Sequence, residues 1–153
     1  MMGSRRGVFL VEAMVALAVV LVLAGFLAPA IRAGRMRGRA ARVVAAARTV
    51  GSAIATYHQY RQSWPASAGS GLTPAGLATF TSGTAFQGND YVLRYTLRSV
   101  TTRGGELLHP ILVVSPTDPA ACPDVYAGLG GARNPSIFAY CGNDSGSVYL
   151  FIN

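Results

Sequence analysis

The residues able to do chemistry are few and widely spaced. Cys122 and Cys141 are the only thiols in the 153-residue chain, His58 and His109 the only imidazoles, and six carboxylates stand against 13 cations, all of them Arg. Two cysteines nineteen positions apart do not make a structural zinc site, and they lack the CxxC spacing of a redox centre. A disulfide closing a loop is the better reading, with a pair of buried free thiols as the alternative. As a disulfide, the closed loop contributes about 3 kcal/mol by chain entropy and requires an oxidising compartment. His58 and His109 have no metal-ligand spacing and read as packing or surface residues. Asp118, Asp124, Asn143 and Asp144 carry oxygens for a calcium ion but lack a DxDxDG-like order, and they read as turn residues. "NDS" at Asn143 meets only the minimal glycosylation triplet. "GLGGARN" (128–134) has no Lys-Ser after it and reads as a flexible loop, not a phosphate cradle. No nucleophile constellation emerges, so the expectation is a protein that is not an enzyme and carries no cofactor and no metal.

One ionised group stands out by its surroundings. Glu12 lies just inside an apolar run that holds no charge from Ala13 to Ile31. As a helix that run spans about 28 Å, close to the roughly 30 Å of a bilayer's hydrocarbon. A carboxylate there costs about 2.5 to 3.5 kcal/mol on insertion scales unless something compensates it or it snorkels to the headgroups.

Charge is divided along the chain. Nine Arg against Glu12 give +8 through Arg61, and four Arg against five acids give −1 from Gln62 onward. The nearly neutral C-terminal part excludes a general basic surface. Arg32, Arg35, Arg39 and Arg42 form a stripe just beyond the apolar run, facing water or phosphates, and they outnumber Arg5 and Arg6 on its other side, against the positive-inside preference for an exported C-terminus.

Periodicity supplies the elements that hold these groups. Val43, Ala47, Val50, Ile54, Tyr57 and Arg61 recur at four- and three-residue steps, an amphipathic face. The spacing predicts one helix over 9–61, about 80 Å long, with weak points at Gly25, Pro29, Gly34 and Gly38 and a stop at Trp64-Pro65. "LTPAGLATF" holds a short helical turn with Thr73 as cap and Pro74 in its first position. The period then becomes two. "YVLRYTLRSV" (91–100) and "LLHPILVV" (107–114) read as a hairpin through Gly104-Gly105, with Pro110 marking an edge or bulge. "SIFAYC" (136–141) and "VYLFIN" (148–153) read as short strands around "GNDSG". The expected fold class is α+β: a long N-terminal helix, half membrane and half amphipathic, against a small antiparallel sheet.

Two readings of the N-terminus follow. In one, Arg5 and Arg6, the apolar run and Ala28-Pro29-Ala30 form an ordinary secretory signal that leaves a soluble domain beginning near Ile31. In the other, "RRGVFLVE" resembles the processing signal of type IV pilins and pseudopilins, a short basic leader ending in Gly with a Glu five residues past the cut. The resemblance implies cleavage by prepilin peptidase between Gly7 and Val8 and methylation of the new amine. With a reference pKa near 8, that amine is mostly cationic at neutral pH and would pair with Glu12 of a neighbouring subunit.

The resemblance further implies a bend near Pro29 and a C-terminal loop bounded by Cys122 and Cys141. It divides the chain into a leader (1–7), a membrane and filament-core half-helix (8–31), an amphipathic half-helix (32–64) and a globular head (65–153). Its partners would be identical or homologous subunits, prepilin peptidase, inner-membrane assembly machinery and, before assembly, the lipid bilayer. The location would be the bacterial inner membrane, single-pass with a periplasmic C-terminus, and then a pilus or periplasmic pseudopilus. "VFLVEAMVAL" is more like minor subunits than major ones, the latter typically opening with Phe and a hydroxyl residue. Alternatives are a type II secretion pseudopilin, a DNA-uptake pilin whose Arg stripe meets phosphates, a nucleic-acid partnership less favoured here, and the exported soluble domain.

Overall fold

The computed structural model describes residues 4–81, 86–102, 105–142 and 145–152. Helix α1 (Ser4–Arg61) is followed by strands β1 (Tyr91–Thr102) and β2 (Gly105–Pro116), helix α2 (Cys122–Leu129), and strands β3 (Ile137–Cys141) and β4 (Gly146–Phe151). The class is α+β, a long N-terminal helix against a small four-stranded antiparallel sheet. The chain divides into two compact units, Met1–Met36 and Arg37–Asn153, so the second half of α1 belongs with the sheet.

In the second unit, the apolar face read from the sequence is the face that packs. Val43, Ala47, Val50 and Ile54 are fully buried, Tyr57 half so, and Arg61, one turn further, is exposed. Opposite them lie Leu93 and Tyr95 of β1, Leu112 and Val114 of β2 and Val148 of β4, joined by Leu77, Phe86, Val125 and Ile137. Burying side chains of this size contributes about 1.5 to 3 kcal/mol each, and that interlock is what holds the sheet on the helix.

Helix α1 ends before Trp64-Pro65. Gln62 turns to a φ of 53° and its N–H reaches the His58 carbonyl at 2.8 Å, a left-handed stop without glycine. The "LTPAGLATF" segment forms consecutive turns, not a capped helix, because Gly76 at φ 80° breaks the right-handed path between Pro74 and Leu77.

The strand order is β1-β2-β4-β3, all neighbours antiparallel. The expected hairpin is present, with Thr102 opposite Gly105; Gly104 lies outside the described residues. Pro110 corrects the expectation of an edge or bulge: it sits in unbroken register with Leu97, in a strand flanked on both sides. Its carbonyl accepts from Ile152 N–H at 3.1 Å, so its missing donor faces β4, and the β4 ladder stops one residue earlier at Ile111–Phe151. The free edge of β1 is covered by the segment after α1: Ala68 N–H donates to Tyr95 O and Gly71 N–H to Leu93 O, and Ser67 Oγ accepts from Leu97 N–H.

Helix α2 lies in a Pro- and Gly-rich stretch where no helix was expected. Asp118 caps the preceding 3₁₀ turn (Pro119–Ala121) by accepting from Ala120 N–H, and α2 ends at Gly130. The stretch read as a flexible loop, 128–134, is instead the end of α2 and a hydrogen-bonded turn, with Arg133 and Asn134 N–H both on the Gly130 carbonyl. A methyl group at Gly128 would stand 2.8 Å from Val44 Cγ2, so the missing side chain lets α2 lie close to α1.

Candidate functional site

The first unit is an α-helix whose residues 10–35 are all exposed, with Phe26 at 76%, Met14 at 66% and Leu21 at 64%. Among the described residues this is the one helix long and apolar enough to cross a membrane. Apolar around its whole circumference from Ala13 to Ile31, it is a candidate membrane span or signal sequence. Gly7 and Val8 are part of the same helix, which begins at Ser4 and not at Phe9 as expected. Glu12 is exposed among Leu10, Val11, Met14 and Val15, and among the described residues it forms no ion pair. The helix runs uninterrupted through Pro29. Pro29 brings no N–H for the carbonyl of Gly25 four residues earlier, so this turn is held by one bond fewer than its neighbours.

The arginine stripe is partly occupied. Arg42 Nη2 lies 2.8 Å from Asp90 Oδ2, and Arg39 reaches Asp90 Oδ1 at 3.8 Å and Asp118 Oδ2 at 3.7 Å. Asp90 precedes β1 and Asp118 follows β2, brought together because Thr117 N–H donates to the Asp90 carbonyl at 2.9 Å. Arg39 and Arg42 therefore face carboxylates, a correction to the reading of the whole stripe as wet or phosphate-facing. Arg32 and Arg35 are exposed. Further along α1, Arg48 Nη2 donates to the Gly128 carbonyl at 2.7 Å.

Cys122 and Cys141 form the disulfide, with Cα atoms 5.6 Å apart, joining the first residue of α2 to the last of β3. Of the residues weighed as calcium ligands, Asp118 is committed to its cap and to Arg39, and Asp124 lies in the first turn of α2. Asn143 and Asp144 lie outside the described residues. Among the described residues no cluster of three or more His, Cys, Asp or Glu is placed to hold a metal.

His58 stacks on Trp64, ring centroids 3.8 Å apart and planes 2° from parallel, with Nδ1 buried and unpartnered. Tyr95 is fully buried with an unpartnered hydroxyl, and burial first, then the neighbouring Tyr57, raises its pKa above the usual tyrosine value.

The sheet face turned away from α1 holds a groove of about 540 Å³ lined by Arg94, Arg98, His109, Ile111, Tyr149 and Phe151 among others. The period-two reading of β1 put Arg94 and Arg98 on this face, but their relation to Tyr149 and Phe151 depends on strand order and register. No protein-family model, characterised protein or solved structure matches the chain.

Proposed function

We propose that the chain is a structural subunit of a type IV pilus or related filament, processed between Gly7 and Val8 and assembled through its apolar helix. The observation that carries this reading is the pairing of a wholly exposed apolar helix with one carboxylate, Glu12, near its start. Such a segment is stable in a bilayer, and equally among like helices that cover it with their own apolar surface. In either setting a lone carboxylate is costly and a neutralised one much less so. The α-amine created at Val8 of a neighbouring copy is a cation of the right sign at the right depth. Burial then favours assembly in one register, with Glu12 as its pin.

The disulfide-bonded second unit fits an exported head, since its bridge persists only outside a reducing cytoplasm. On this reading the protein is not an enzyme. Its partners are other subunits, prepilin peptidase, the inner-membrane assembly machinery and, before assembly, the lipid bilayer.

The deciding measurement is intact mass with N-terminal sequencing of protein extracted from membranes. A chain beginning at Val8 and carrying one extra methyl group is expected. A chain beginning near Ile31 assigns an ordinary exported domain, and an uncut N-terminus rejects the processing step.

A further inference from the structure

The outer face of the sheet carries a feature to which the proposed assembly through the apolar helix assigns no role. Register places Arg94, Val113, Tyr149 and Phe138 in one row across all four strands, Thr96, Ile111 and Phe151 in the next, and Arg98 beside His109 in the third. Ile111 and Val113 form a buried apolar floor, Phe138 is 58% exposed and Tyr140 70%, and both arginines stand exposed along β1. Among the described residues neither Arg94 nor Arg98 has an ion pair, and no carboxylate lines the groove. The face is thus cationic along one margin and aromatic along the other, about 14 Å away across three strand spacings.

From this geometry we infer that the outer sheet face binds single-stranded nucleic acid, with phosphates along Arg94 and Arg98 and bases stacked toward Tyr149, Phe138 and Tyr140. Charge complementarity calls for an anionic partner. A second copy offers less: among the described carboxylate side chains of its second unit, Asp90 and Asp118 are already held by Arg39 and Arg42, which leaves the exposed Asp124 alone to meet two arginines. An acidic peptide would most readily add a strand beside the arginines, but that edge of β1 is already bonded by Ser67, Ala68 and Gly71. A ligand that lies across the face, with a charged backbone on one side and flat rings on the other, fits both margins.

The test uses the full chain in detergent, with a fluorescent oligothymidylate of about twelve residues read by anisotropy across a salt series. Binding that weakens with salt is expected. The double variant R94A/R98A should weaken it at least tenfold at moderate salt and reduce the log–log salt slope by about 1.4, the share of two single-strand phosphate contacts. The variant F138A/Y140A, altering two exposed rings, should weaken it about tenfold with the slope unchanged. The inference is overturned if the oligonucleotide does not bind, or if these variants bind as the parent does. It is equally overturned if R32A/R35A abolishes binding, if a duplex of equal length binds as tightly, or if a polyglutamate peptide binds better.

Discussion

Arg42 holds a single carboxylate oxygen of Asp90 with two guanidinium nitrogens, Nε and Nη2, each at 2.8 Å. The contact spans 48 residues and ties the approach to β1 onto the middle of α1, with Arg39 as a looser second partner. Arg42 is 64% exposed, so solvent screens much of the attraction. Replacing Arg42 by Ala should lower the stability of the second unit by about 0.5 to 1 kcal/mol at low salt, less in molar salt. Asp90→Ala should cost more, since it also leaves Arg39 and Arg42 facing each other. A double-mutant cycle by chemical denaturation measures the coupling.

Glu12→Gln removes the charge and keeps the shape. If the amine of a neighbour neutralises this carboxylate, the variant should still be cut after Gly7 yet yield far fewer filaments, by shearing and quantitative immunoblot. Glu12→Asp should recover part of the yield. Undiminished filaments with Glu12→Gln would end the register-pin account.

Tyr95 combines full burial with an unsatisfied hydroxyl. Tyr95→Phe removes a polar atom that gains nothing in the core, so stability should hold or rise by about 1 kcal/mol. The sign with pH follows from the raised pKa. The neutral phenol's contribution is fully present below the unfolded tyrosine's pKa near 10 and is lost as pH climbs from there toward the higher folded value. Thermal melts between neutral pH and about pH 11 should therefore show a smaller alkaline loss for Tyr95→Phe than for the parent.

The Cys122–Cys141 bridge closes a loop of 19-residue separation. Its replacement by two serines should cost about 3 kcal/mol, or a fall in Tm of roughly 10 °C for a unit of this size. Reductant should lower the parent's Tm similarly and leave the serine variant unmoved.

The two periodicities were legible in the sequence. Steps of four and three named Val43, Ala47, Val50 and Ile54, and alternation named Leu93 and Tyr95, because a half-buried element writes its inner face into its own local pattern. Helix α2 was not legible: its eight residues include Pro123 and Gly128, and it exists because Asp118 starts the preceding turn and Val44 receives its glycine face. The Arg39–Asp90–Asp118 cluster and the groove beside Tyr149 were beyond reach for another reason. Each joins residues from distant segments, and no local pattern states which strands will be neighbours. For the N-terminal unit, a motif of few residues pointed to Gly7, Val8 and Glu12, and the helix adds that residues 10–35 are exposed.

The strand order has a further consequence for the sequence in which the sheet can close. β4 follows β3 in the chain but lies between β2 and β3, so β3 has no berth in the sheet until β4 arrives. In a chain that becomes available from β1 onward, the β1–β2 hairpin can close early while β3 waits. Until β4 docks on β2 that side of the sheet stays open, and its arrival seats two strands at once.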